Sequence, residues 1–273
     1  MQVCKCGRHV GLQPTMLATM MQAQSNEKIL QCFLGGPTSY SVRDIKQSDA
    51  IQTRDFMDHR DLSLLVHASY LINLSRVGDE SIIAKSRECL QKTVDNLAKI
   101  DSYRCSTVIH INGKGTIEKF CNELNSIDRK TWVMIENSAG EGSKLGKDMD
   151  EIRRIIEGSD DKIGVVIDTA HIHGAGNYDL SMQSGVETMF EDIDAFSDRR
   201  IIFHLNDSIA ELGSKLDRHG IIGSGMIWNV NRPDSLLTLE RMYEMSKMSG
   251  YDIIFETPNE FSQKFEQEMF ARL

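Results

Sequence analysis

Residues 163–171 read I-G-V-V-I-D-T-A-H, and residues 201–207 read I-I-F-H-L-N-D. Each begins as a short apolar run, the composition of a strand buried on both faces. Each then reaches side chains that can hold a metal ion: Asp168 and His171 in the first, His204 in the second. A buried strand that ends in a carboxylate and an imidazole carries polar groups into a crowded place. That is costly unless something such as a metal ion pairs them. A third segment, L-D-R-H at Leu216–His219, adds Asp217 and His219 on either side of Arg218. In an extended loop both ligands point one way and Arg218 the other.

Working outward, similar apolar runs occur at Val3–Val10, Ile29–Leu34, Leu64–Ala68, Thr107–Ile111, Trp132–Glu136, Gly164–Asp168, Ile201–Leu205 and Ile253–Glu256. Amphipathic helical patterns lie between them at Asp79–Ile100, Thr116–Ile127, Met149–Gly158, Ser184–Phe196, Pro233–Gly250 and Glu260–Leu273. In the first, Ile82, Ile83, Leu90, Val94 and Leu97 form one stripe. Pro233 suits the first turn of a helix and Gly250 its end. Strand and helix alternating eight times implies a parallel sheet with right-handed crossovers. In about 250 residues that is the size of a (β/α)8 barrel. The doubly wound open sheet competes, but it places a Gly-rich phosphate loop after its first strand. Here that position reads G-R-H-V-G-L-Q-P. The expectation is an α/β protein, a (β/α)8 TIM barrel forming a single domain over residues 1–273.

In such a barrel the C-terminal ends of the strands converge on one mouth. Six of the eight predicted strands end in a side chain that can bind metal: His67, His110, Glu136, Asp168, His204 and Glu256. His171 returns to the same side one turn after Asp168, and Asp217 and His219 extend the set. Five histidines and four carboxylates exceed the needs of one tetrahedral ion. They suit two or three ions, and imidazole with carboxylate but no thiolate favours Zn or Mn. Such clusters excel at phosphoester hydrolysis, because one ion lowers the pKa of a bound water to about 7 while others neutralise the phosphate and the leaving oxygen. No Ser or Cys triad is apparent.

Composition sets the outer limits. The chain is 40% hydrophobic and 26% charged, as in an ordinary globular protein. No apolar run reaches the roughly 18 residues of a membrane helix, and M-Q-V-C-K-C-G lacks a signal-peptide core. An intracellular, cytoplasmic location without membrane association is expected, with six free thiols. Cys4-Lys5-Cys6 is too small a set to mark a metal site by itself. The net charge of −9 argues against nucleic acid at first sight, but bound divalent ions at one mouth would offset much of it.

At this point the residues resemble a known family, the endonuclease IV family of apurinic/apyrimidinic (AP) DNA endonucleases. The matching segments are V-H-A-S-Y-L-I-N-L (66–74), E-N-S-A-G-E-G-S-K-L-G (136–146), V-I-D-T-A-H (166–171), H-L-N-D-S (204–208), L-G-S-K-L-D-R-H (212–219) and F-E-T-P (255–258). The resemblance implies three zinc ions per chain, with Mn2+ as an alternative at one position. His67, His110 and Glu136 would hold the first ion. Glu136 would bridge to a second, held with Asp168, His204 and Glu256, and His171, Asp217 and His219 would hold the third. Glu136 and Glu256 would be the catalytic carboxylates. The implied reaction is hydrolysis 5′ to an abasic site in double-stranded DNA by zinc-activated hydroxide, leaving a 3′-hydroxyl and a 5′-deoxyribose phosphate, with trimming of blocked 3′ ends. The implied partner is abasic duplex DNA, bound by a monomer. Tyr70 and Leu71 would wedge into the minor groove, and Arg218 would meet a phosphate.

The chain departs from the family in three loops. Gly7-Arg8-His9-Val10-Gly11 is followed by Leu12-Gln13-Pro14 rather than a glycine pair. The basic stretch after the second strand is replaced by Gly35-Gly36-Pro37-Thr38-Ser39-Tyr40, and the Pro-Gly after His110 by Ile111-Asn112-Gly113. These departures spare the ligands and bear on lesion affinity and range more than on the chemistry. With G-M-I-W at 225–228 the chain is similar to members encoded by large DNA viruses. Two rivals differ in class. A sugar isomerase or epimerase of the xylose-isomerase kind would use only Glu136, Asp168, His204 and Glu256. A non-catalytic DNA-binding barrel would have no need of the full ligand set. Among the other candidates, His9 is either a group at the mouth or a buried structural histidine. His173 is expected to face solvent, His59 to sit on the surface at a helix end, and Lys114 and Lys144 to lie on mouth loops.

Overall fold

A computed structural model describes residues 4–113 and 115–257, together with residues 262, 263 and 266. Among them, the strands of the main sheet are β1 (Cys6–His9), β2 (Ile29–Phe33), β3 (Ser63–His67), β4 (Cys105–His110), β5 (Trp132–Glu136), β6 (Ile163–Asp168), β7 (Ile201–Leu205) and, after the short β8 (Asp207–Ser208) and β9 (His219–Gly220), β10 (Asp252–Phe255). The eight main strands close into a barrel in the order β1-β10-β7-β6-β5-β4-β3-β2. The described pairings of the barrel are parallel. The strands end within a few residues of their predicted limits. Val3, where the first was expected to begin, lies outside the described residues.

The helices are α1 (Met16–Met20), α2 (Gln47–Arg60), α3 (Glu80–Ile100), α4 (Ile117–Asn125), α5 (Met149–Glu157), α6 (Thr169–Ala175), α7 (Gln183–Asp194) and α8 (Pro233–Ser249). Asp79 caps α3, its side chain accepting from Ser81 and Ile82 N–H. Ile83, Leu90, Val94 and Leu97 of α3 are buried as expected. Ile82 is only half-buried, and the stripe continues instead through Ser86, Cys89 and Thr93. Pro233 opens α8, and Gly250 closes it at φ 72°, a left-handed position that glycine adopts without strain. The expected helix at Glu260–Leu273 lies outside the described residues apart from three positions.

Three helices escaped the periodicity. The five residues of α1 are too few to show a period. The buried positions of α2 are Ala50, Thr53 and Met57, a face too small and polar to stand out. The third, α6, begins directly where β6 ends, and its seven residues are too few to show a period.

The chain falls into two compact units, one of His9–Glu136 with Arg154–Gly164, the other of the described residues in Met1–Arg8, Asn137–Arg153 and Val165–Leu273. In the first, Leu64, Leu65, Val66, Val108, Val133 and Met134 are essentially buried. Ile163 closes that set, and in the second Val165, Val166, Ile202, Phe203 and Ile254 play the same part. None of the six cysteines is in a disulfide. Among the described residues no helix is long and apolar enough to cross a membrane.

Candidate metal centre

Strand register sets the level of the ligands. His110 at the end of β4 pairs with Glu136 at the end of β5. Asp168 at the end of β6 pairs with His204 on β7. Residues in register on parallel neighbours point to the same face, so each pair projects together.

In the unit containing residues 9–136, Glu136 Oε2 lies 3.3 Å from His110 Nε2 and 3.5 Å from His67 Nε2. The two imidazole centroids are 5.1 Å apart. His67 Nδ1 donates to the Ala68 carbonyl at 2.7 Å. A carbonyl can only accept, so the proton sits on Nδ1 and the Nε2 lone pair is left facing Glu136. The structure thus brings together the first expected trio, and His67, His110 and Glu136 each present an atom within 4.8 Å of the others.

In the other unit the candidate ligands come from three kinds of element, strands, a helix and loops. Asp168 caps α6, its Oδ1 accepting from His171 N–H at 2.8 Å. That cap turns the chain into a helix immediately after β6 and brings His171 round beside the carboxylate. His171 Nδ1 donates to the Asn137 carbonyl at 2.9 Å, leaving Nε2 3.1 Å from Asp217 Oδ2. His219 Nε2 is buried, makes no hydrogen bond, and faces Asp168 Oδ2 and Asp217 Oδ1, each at 3.4 Å. An imidazole nitrogen held between two carboxylates in this way suits a divalent ion. His204 Nδ1 lies 3.0 Å from Glu256 Oε2, and both sit with Asp168 in a further ligating group.

Several residues that hold these ligands were not singled out from sequence. Asn137 Oδ1 accepts from Asp168 N–H at 2.6 Å, and its Nδ2 donates to the Asp168 carbonyl at 3.3 Å. Asn206 Nδ2 donates to Asp168 Oδ2 at 2.6 Å. Glu141 Oε1 accepts from Asp217 N–H at 3.0 Å, fixing the loop that carries two ligands. Burial opposes ionisation of Glu141, yet that hydrogen bond and the Lys144 ammonium hold its carboxyl below the ordinary glutamate range. Asp207, just past β7, is fully buried and accepts from the N–H groups of Ser208, Gly225, Ile227 and Trp228. Desolvation wins over these bonds and pushes its pKa up to about 6. The signal available was position: Asn137, Asn206 and Asp207 all follow strand ends closely.

The remaining candidates divide. Tyr70 is 46% exposed and Leu71 39%. The Tyr70 ring stands edge-on to His67, His110 and Phe33 at 4.9, 5.2 and 5.6 Å. Arg218 is exposed, donating to the Asp217 carbonyl. Lys144 pairs with Glu141 at 2.9 Å, and Lys114 lies outside the described residues. His59 is exposed near the end of α2, as expected. His9 is half-buried, accepting from Gln31 Nε2 at Nδ1. His173 does not face solvent. It is 3% exposed, because α6 carries it beneath the 213–215 loop, whose Gly213 N–H donates to the His173 carbonyl.

Residues 30–271 match the family model of xylose isomerase-like TIM barrels. The chain is 31% identical over 276 residues to a probable endonuclease 4 of Halothermothrix orenii, covering 93% of this chain and 98% of that protein. The chain belongs to the endonuclease IV family. A second member, the probable endonuclease 4 of Haloquadratum walsbyi, is 30% identical over 86% of this chain and 84% of its own length. Among solved structures, endonuclease IV from Thermus thermophilus superposes with a TM-score of 0.81 over 98% of both chains at 24% identity, a likeness of fold. Endonuclease IV membership accounts for a nuclease built on this barrel and for metal-ligating clusters at its strand ends.

Proposed function

We propose that this endonuclease IV family member is a zinc-dependent AP endonuclease of base excision repair. It cuts the phosphodiester 5′ to an abasic site, leaving a 3′-hydroxyl and a 5′-deoxyribose phosphate, and trims blocked 3′ ends. The observation that carries this is the size and chemistry of the donor set. Eight imidazole and carboxylate side chains, without a thiolate, fall in ligating groups at strand ends and the elements after them, and a ninth, Asp217, lies against His171 and His219. A sugar isomerase or epimerase on the same barrel needs about four ligands. It would leave His67, His110, His171, Asp217 and His219 without work.

His67, His110 and Glu136 would hold one ion; Asp168, His204 and Glu256, together with Glu136, would hold a second; and His171, Asp217 and His219 would hold a third. Zinc suits the donors at all three, and Mn2+ could replace it at one. Bound ions of this kind supply a water of lowered pKa and offset the charge on the phosphate. The protein's own side chains do the rest. Glu136 and Glu256 present the carboxylates on which hydrolysis depends. Asn137 and Asn206 fix Asp168, and the carbonyls of Ala68 and Asn137 fix the tautomers of His67 and His171. Tyr70 and Leu71, exposed beside the first cluster, insert into the minor groove and offset the unstacking of the lesion step. The nucleotide without a base then enters the mouth with little unpairing cost. Arg218 contacts a phosphate. Residues 1–273 act as one domain, as a monomer, inside the cell.

A duplex carrying one abasic site and a 5′ label tests the proposal. Metal-replete protein should nick it once, 5′ to the lesion, leaving an end that a polymerase extends, and should leave the intact duplex uncut. An uncut lesion, or an end that cannot be extended, contradicts it.

A further inference from the structure

Two of the stretches that depart from the family pattern, Gly35–Tyr40 and Ile111–Gly113, converge on one short loop. That loop, residues 69–75, follows β3 and carries Tyr70 and Leu71. Its three successive carbonyls at residues 70–72 are all taken by side chains from those stretches. Asn112 Nδ2 donates to the Tyr70 carbonyl at 2.9 Å and to the Ile72 carbonyl at 3.0 Å. Tyr40 Oη donates to the Leu71 carbonyl at 2.8 Å. From the other side the Pro37 carbonyl accepts from Tyr70 N–H at 2.8 Å and from Ser69 Oγ at 3.2 Å. Ser75 Oγ closes the loop by donating to the Asn112 carbonyl at 2.8 Å. The contact is close enough that a Cβ on Gly113, at φ 136°, would run into Ser75 Oγ.

We infer that Tyr40 and Asn112 are positioning residues for the Tyr70-Leu71 wedge, fixing its backbone before DNA arrives. The inference rests on the proposed action at abasic DNA. Exposed apolar side chains on a loop cost ordering entropy when they bind, and a loop already held in one shape avoids much of that cost. Tyr70 is fixed at its ring by His67 and His110. Leu71 is held through its backbone, its N–H donating to Ser69 Oγ at 3.2 Å and its carbonyl accepting from Tyr40 Oη at 2.8 Å, so the grip on that backbone matters most there. The side chains that hold the 70–72 carbonyls thus come from residues 40 and 112, within those two stretches.

The test compares wild type with the double variant Tyr40→Phe/Asn112→Ala, in the full chain and again in a Tyr70→Ala/Leu71→Ala background. Without DNA, hydrogen exchange at amides 69–75 should speed up by about tenfold or more in the variant. With an abasic duplex, Kd should weaken by about tenfold while kcat at saturation changes less than about twofold. Without the wedge side chains the same two substitutions should change Kd by less than about twofold. Unchanged exchange overturns the inference. So does an equal affinity loss in both backgrounds, which a merely structural role would give, or a loss confined to kcat. If wild type fails to cut abasic DNA, the proposed function falls, and the exchange measurement, made without DNA, still decides whether these residues hold the loop.

Discussion

The candidate ligands around Glu136 and those around Asp217 are built in different ways. His67, His110 and Glu136 are each the last residue of a barrel strand, with side-chain exposures of 3%, 11% and 1%. The hydrogen-bonded ladder sets their positions directly. Asp217 and His219 stand on a loop and on the two-residue strand β9, at 30% and 24%. Their positions depend on added clamps: Glu141 on the Asp217 amide, the pairing of β9 with β8, and the Asp207 carboxylate on the 225–228 backbone. A strand-end ligand comes with the fold, whereas a loop ligand needs residues devoted to holding it. The second group should therefore be the easier to disturb without unfolding the protein.

The largest expected effect comes from a carboxylate at a strand end. Glu256→Ala should lower turnover of an abasic duplex by about three orders of magnitude, roughly 4 kcal/mol of barrier, while circular dichroism shows the barrel intact. Near-normal turnover would remove Glu256 from the centre. Next comes the loop group. Glu141→Ala should weaken metal binding there by about 10- to 100-fold, so that dialysed protein loses about one ion per chain while the ion at Glu136 stays. Equal retention by variant and wild type would show that the loop needs no clamp, and would erase the contrast. Tyr70→Ala should cost about tenfold in affinity for abasic duplex and little for intact duplex. An equal loss on both would reject the wedge.

The smallest effect is on stability and also belongs to the loop group. Burial raises the Asp207 pKa to about 6 in the folded state, above the ordinary aspartate value of 3.8. A carboxyl raised on folding favours the fold while protonated, and that contribution is lost as pH rises through 6. Lowering the pH from 7 to 5 should thus stabilise wild type by about 1 kcal/mol relative to Asp207→Asn. In a chain of this size that is about 2–4 °C in Tm. A difference between the two proteins that stays constant over this range would contradict the assignment.

The same contrast explains what could be read from the sequence. Strands buried on both faces are continuous apolar runs, so I-G-V-V-I-D and I-I-F-H announce both the strand and the ligand it carries. The loop ligands could be placed as residues but not their supports. Nothing periodic marks Asn137, Asn206 or Glu141, whose work is to bond groups brought near only by the fold. The helix α6 was hidden for a related reason. The sequence marks Asp168 as a candidate metal ligand, and its Oδ1 is the cap that starts α6. His173 was misplaced with it, because without that helix nothing turned it inward. The loops at Gly35–Tyr40 and Ile111–Gly113 read as departures that bear on lesion affinity and range, and their bonds to the carbonyls of residues 70–72 could not be foreseen from residue type.

Metal content followed together with activity tests the proposed three-ion hydrolytic centre. Protein stripped by chelation and titrated with zinc should recover abasic-site cleavage only as occupancy nears three ions per chain. Full cleavage at one ion per chain, or cleavage that persists after verified metal removal, would contradict it.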